Sequence, residues 1–200
     1  MKCYLSVLES KLVFLNGFSI SLASEWLENQ NGKFDKQDCE QAAFKRLAKT
    51  VKTSFPWLAI VVTADALYCS EPVFEYIKEY HWKFTFIFKD DSLKSLWKKI
   101  NNSTLLTQEQ TIKKLPSGKW FIDQFSLINE LRYKDQQVNF ITYQQCEDQQ
   151  IVERHVHLTS LTINEKNAQK ISKQGILSGN IVNQGFKNRR TMFFFRAQVC

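Results

Sequence analysis

The sequence predicts a mixed α/β fold: a mixed sheet flanked by helices, with a β-rich stretch inserted before the chain returns to the core. Three observations predict it. An Asn-Gly turn separates two runs rich in β-branched and aromatic residues, a helical period follows, and an unbroken apolar run then ends at an aspartate. At 200 residues and 44% hydrophobic, the chain can bury one sizeable core, so one domain carrying an insertion is expected.

Residues 5–14 and 18–23 read as the two strands of an antiparallel hairpin, because Asn16-Gly17 between them suits a tight turn with positive φ. After a polar break at residues 29–32, Asp35 stands where a helix cap belongs, with Asp38 three positions on. Phe44, Leu47, Ala48 and Val51 then recur at helical spacing, and the helix must end before Pro56. Residues 57–64 are apolar apart from Thr63, the composition of a central strand covered on both faces. Ser70 and Pro72 open a second helix, and Trp82, Phe84, Phe86 and Phe88 alternate with Lys83, Thr85 and Lys89 in a further strand.

From about residue 101 to 152 the pattern changes to short strand-like pieces, residues 119–125 and 138–143, between Gln-rich turns and without a helical period. Residues 154–159 predict another strand. A polar helix is expected from Asn164 to about Lys173, with Thr162 or Asn164 as its cap.

Lys and Arg number 27 against 20 Asp and Glu, giving a net charge of +7 and a pI near 9.1. That balance favours a polyanionic partner such as nucleic acid, although a modest basic excess also occurs in proteins that bind nothing acidic. No apolar run reaches membrane-span length and Glu9 and Lys11 interrupt any signal-peptide core, so a cytoplasmic protein without membrane association is expected. The five cysteines are scattered, which excludes a zinc knuckle or redox dithiol and reads as reduced structural thiols. Cys69, four residues after Asp65, is either a nucleophile or a buried thiol.

Asp65 is the leading candidate residue. A charged group directly after a buried strand sits at the carboxyl edge where α/β sheets place their sites, and the alternative is that it caps a turn. His155 and His157 share a strand face with Glu153, a spacing that suits either a metal or an ordinary exposed face. Lys94, Lys98, Lys99, Lys113, Lys114, Lys187, Arg189 and Arg190 either line a DNA path or form a solvated basic surface, and Trp97 or Trp120 is placed to stack on a base.

Three blocks, Asn16-Gly17-Phe18-Ser19-Ile20-Ser21 through Glu25-Trp26, then Lys36-Gln37-Asp38-Cys39-Glu40, then Asp65-Ala66-Leu67-Tyr68, resemble the bacterial insertion-sequence DDE transposases in order and type. The resemblance implies an RNase H-like core in which Asp, Asp and Glu hold two Mg²⁺ ions for attack on a DNA phosphodiester, since hard cations take oxygen ligands. Asp65 matches the second Asp, as catalytic residue and metal ligand. The strand that would carry the first Asp is expected to be missing. The family's glutamate helix corresponds to residues 175–186, where Gly175, Ile181, Asn183, Gly185 and Phe186 agree but Val182 replaces the glutamate. Valine cannot ligate a metal.

The resemblance further implies a partial core over residues 1–100, a β-rich insertion over 101–152, a return to the core with C-terminal helices over 153–190 and an atypical tail over 191–200. Its implied partners are transposon-end DNA and a full-length transposase; among the basic residues, Lys187, Arg189 and Arg190 are the candidate DNA contacts. The missing strand would lie between the hairpin and the strand ending at Asp65, leaving two edges to re-pair or stay exposed. The expected product is a fragment that binds no productive Mg²⁺ and is inactive in strand cleavage. The alternative is a catalytically dead regulator that binds DNA or transposase.

Overall fold

The computed structural model describes residues 7–13, 18–27, 36–90, 92–103, 106–114, 120–147, 150–172 and 191–197. It is a mixed α/β protein whose chain divides into two units, Met1–Phe84 with Leu177–Cys200 and Thr85–Ile176.

In the first unit, β1 (Val7–Val13) and β2 (Ser19–Trp26) form the antiparallel hairpin, with a register shift between Ser10 and Lys11. The turn dipeptide Asn16-Gly17 lies outside the described residues, as does Asp35. Helix α1 (Lys36–Ser54) buries Phe44, Leu47, Ala48 and Val51, the positions its period selects. Removing a side chain such as Leu47 from that face costs ~2–5 kcal/mol. Arg46 fixes the helix to the hairpin, its Nε donating to Glu25 Oε2 at 3.2 Å and its Nη2 to the Trp26 carbonyl at 2.9 Å.

Strand β3 (Ile60–Ala64) is shorter than residues 57–64. Pro56 and Trp57 form a turn instead, and Trp57 is 95% exposed, because the Phe55 carbonyl accepts the Leu58 amide and delays the strand. A 3₁₀ turn (Ala66–Tyr68) and α2 (Glu71–Glu79) follow. Ser70 is the N-cap of α2 and Pro72 lies in its first turn, as expected, but the Ser70 side chain makes no capping hydrogen bond.

The sheet of this unit is completed by β9 (Thr191–Ala197), drawn from the tail. It runs parallel to β1, from Leu8 opposite Thr191 to Leu12 opposite Phe195, and antiparallel to β3, from Ile60 opposite Ala197 to Thr63 opposite Phe194. The strand order is therefore β2-β1-β9-β3. The two edges expected between the hairpin and β3 are paired with this segment.

The chain enters the second unit within β4 (Lys83–Ile87). Phe84, Phe86 and Phe88 are buried as the alternation predicts, but Thr85 is also buried, its hydroxyl hydrogen-bonded to that of Thr159 at 2.9 Å. Both faces of β4 are thus covered. Helix α3 (Lys94–Asn101) follows, an element the sequence reading did not assign. The β-rich stretch is present, but its strands are long rather than short: β5 (Leu106–Lys114), β6 (Trp120–Tyr133) and β7 (Gln136–Glu147), continued by β8 (Gln150–Thr159). All neighbours in the order β4-β8-β7-β6-β5 are antiparallel.

A helix over residues 165–172, α4, closes the unit. Asn164 caps it: its Oδ1 accepts the Asn167 amide at 3.1 Å while Asn167 Oδ1 accepts the Asn164 amide at 2.8 Å. The largely polar α4 buries Ala168 and Ile171 against Phe125, Ile141 and Tyr143 on one sheet face. On the opposite face Phe88, Trp97 and Phe140 form a ring cluster, with Phe88 and Trp97 stacked at 4.8 Å.

Candidate functional site

Asp65 stands immediately after β3, solvent-exposed, at the carboxyl end of that buried strand. Its extended backbone and short side chain let Oδ1 accept the Leu67 amide at 3.0 Å, so it caps the 3₁₀ turn. That turn buries Tyr68 against Phe44, ring centroids 5.9 Å apart, and aims the Tyr68 hydroxyl at Glu40 Oε2 over a long 3.5 Å contact. Glu40, in the Lys-Gln-Asp-Cys-Glu block, is itself buried.

Burial first, then the charges of Glu40 and Asp65 and the hydrogen bond to Glu40, hold the Tyr68 hydroxyl well above its ordinary pKa. The phenol therefore stays protonated. The Cys69 thiol is likewise pushed up, by burial and then by Asp65. A buried thiol beside a carboxylate is a poor nucleophile, so of the two readings of Cys69 the structure favours the buried structural thiol.

The oxygens near Asp65 are already engaged in part. Mg²⁺ asks for near-octahedral oxygen ligands, whereas one Asp65 oxygen is engaged by an amide and Glu40 is buried with its contact turned to a phenol. Among the described residues no group of three or more His, Cys, Asp and Glu is arranged to hold a metal ion. Val182, Lys187, Arg189 and Arg190 lie outside the described residues.

A second polar constellation lies in the other unit, on the face of β6, β7 and β8 that continues past α4. Tyr143 donates to the buried Asp123 carboxylate at 3.0 Å, as does Gln145 Nε2, and the Tyr143 ring stacks on His155, which in turn stacks on His157. His155 Nε2 lies 2.7 Å from Glu153 Oε1. His157 is fully buried, and neither ring nitrogen has a hydrogen-bond partner. Burial, then the neighbouring His155, lower its pKa to about 4. A cavity of about 340 Å³ opens beside this strand, lined by Lys89, Asp90, Arg154, His155 and His157 among others. The two histidines thus form an aromatic ladder with Tyr143 rather than converging on one point. Asp123, Tyr143 and Gln145 were not singled out from sequence, since only strand register brings them beside residues 153–157.

Of the basic and aromatic candidates, Lys94 and Lys98 are exposed, while Lys99 Nζ donates to the Arg132 carbonyl at 2.7 Å. Trp97 is half-buried, stacked on Phe88, and its Nε1 donates to the Lys89 carbonyl at 2.7 Å. Trp120 is 55% exposed. The side chains of Lys113 and Lys114 lie outside the described residues. Among the described residues no helix is long and apolar enough to cross a membrane. No protein-family model matches the chain, and no curated protein matches it either.

Proposed function

We propose that the chain derives from a DDE transposase, an enzyme of metal-dependent DNA strand cleavage and transfer, and no longer carries out that reaction. The observation that carries this reading is Asp65, an exposed carboxylate directly after a buried strand of a mixed α/β unit, heading the block Asp65-Ala66-Leu67-Tyr68. An in-line phosphoryl displacement needs charge stabilised on both the entering and the leaving oxygen, which one carboxylate already serving as a turn cap does not supply. Val182, at the position the family gives to glutamate, argues in the same direction.

The test is incubation with terminal-repeat DNA and Mg²⁺ or Mn²⁺. No cleavage above background is expected, and reproducible cleavage abolished by Asp65→Asn would overturn the claim of inactivity. The net charge of +7 favours a second reading, a regulator that occupies transposon ends or a full-length transposase without cutting. Salt-dependent binding to repeat DNA without cleavage supports that reading, and absence of binding at moderate salt removes it.

A further inference from the structure

Strand β8 outruns its neighbour β4. The ladder between them runs from Thr85 opposite Thr159 to Ile87 opposite His157, and the Phe88 amide then donates to the Val156 carbonyl at 2.8 Å. Beyond that bond β4 has ended, while β8 extends back to Gln150. At this fork lies the cavity of about 340 Å³, lined by residues 87–90 and 154–157, all of them within the second unit. Five of the eight lining residues are ionisable: Lys89, Asp90, Arg154, His155 and His157. Such walls suit a small polar occupant rather than an apolar one.

Lys89 and Arg154 bring two cations to these walls against the one carboxylate of Asp90. Arg154 Nη1 lies 3.6 Å from Asp90 Oδ2, a contact between partly exposed side chains that holds weakly, and a guanidinium has five N–H donors to offer. His155 turns Nε2 to Glu153 Oε1 at 2.7 Å, which leaves Nδ1 for another partner. His157 lines the same cavity, fully buried, and neither of its ring nitrogens has a hydrogen-bond partner in the protein. Buried polar groups are normally paired, so these two nitrogens call for an occupant that can hydrogen-bond.

We propose that this cavity binds the phosphate group of a small molecule, with Arg154 and Lys89 clamping its oxygens and the two histidines completing its hydrogen bonds. A guanidinium meets phosphate oxygens through paired N–H donors, and an ammonium adds a point charge beside it. A tetrahedral oxyanion can take donors from both strands at once. The volume falls at the lower end of small-molecule sites, which limits the rest of the ligand to a small body. This site stands on the second unit alone and does not depend on any reading of Asp65 or of DNA cleavage.

The chain has 3 histidines, His81, His155 and His157, whose imidazole resonances report on the site in the full-length protein. Inorganic phosphate is titrated at fixed pH and ionic strength, with chloride as the control. Saturable shifts of the His155 and His157 signals are expected, with His81, in the other unit, unmoved. Arg154→Gln and Lys89→Gln should each weaken binding about tenfold, the loss of one charged hydrogen-bonding partner. Both side chains are exposed, so the fold is kept. Asp90→Asn, which removes the competing carboxylate, should tighten binding, a gain that damage to the fold would not produce. The absence of a saturable response up to about 10 mM phosphate overturns the proposal. So does an equal response to chloride, or a phosphate response that all three substitutions leave unchanged.

Discussion

Asp65 Oδ1 accepts the amide of Leu67 at 3.0 Å, so the residue proposed as a former metal ligand closes a turn. Replacing it separates the two roles. Asp65→Ala is expected to lower stability by ~1 kcal/mol through loss of the cap, and Asp65→Asn by only a few tenths, since an amide oxygen accepts the same hydrogen bond. The shift in urea midpoint at constant slope measures both. Equal losses for the two variants would show that the charge, rather than the cap, is what the fold uses.

His157 makes stability depend on pH. Its folded pKa of about 4 lies below the ordinary value, so the unfolded chain binds the extra proton between the two. The contribution is complete above about pH 6.5 and is lost as pH falls towards 4, a decline on the order of 3 kcal/mol. His157→Phe is expected to flatten the unfolding free energy across that window, leaving neutral-pH stability unchanged or raised because no buried polar atom is orphaned. A slope unchanged in the variant would assign the titration elsewhere.

Asn129 grips the chain entering α4 at two points, Nδ2 donating to the Ile163 carbonyl at 2.8 Å and Oδ1 accepting the Ile163 amide at 2.9 Å. Asn139 does the same across the neighbouring irregularity, accepting from Glu130 N and donating to the Leu161 carbonyl, both at 2.8 Å. Asn129→Ala leaves both partially buried Ile163 groups without this partner, and a loss of ~2 kcal/mol is expected in thermal or chemical unfolding. Asn129→Asp, which keeps the acceptor and loses the donor, should fall between.

Trp97 and Trp120 are expected to behave oppositely. Trp97→Ala opens the Phe88–Phe140 cluster and should cost ~2–3 kcal/mol, whereas Trp120→Ala, on an exposed side chain, should stay within ~0.5 kcal/mol. Denaturation followed by far-ultraviolet circular dichroism avoids reading the removed fluorophore.

Lys134 opens the two-residue turn between Tyr133 and Gln136 with φ of 52°, a region that disfavours any side chain bearing a Cβ. Lys134→Gly should raise the unfolding midpoint, by ~0.5–1 kcal/mol in stability.

Local patterns carried the parts of the fold that local physics decides. The hairpin followed from Asn16-Gly17, α1 from Phe44, Leu47, Ala48 and Val51, and the α4 cap from Asn164. Helix α3 was hidden because it is eight residues long, begins at Leu93 in the left-handed region without a side-chain cap, and buries chiefly Leu96 and Ile100 among lysines. The pairing of β9 was not legible, since strands so far apart in sequence leave no periodic trace of each other. Around Asp65 the sequence offered a cap or a ligand as alternatives, and only the Leu67 contact showed the cap. The ladder of Tyr143, His155 and His157 was half visible: the histidine spacing was plain, but its third ring arrives by register from another strand.

The lateness of β9 also bears on how the protein emerges from the ribosome. Thr85–Ile176 is one continuous stretch and can settle as soon as it has been made, domain by domain as nascent chains do. The opening segment, although synthesised first, has to wait: β1 and β3 gain their shared neighbour only after residues 191–197 have been added. For that interval the first unit is the less finished of the two, with two strand edges still unpaired. The rate of elongation through residues 191–197, and any holdase present during the delay, would then decide how long those edges stay open.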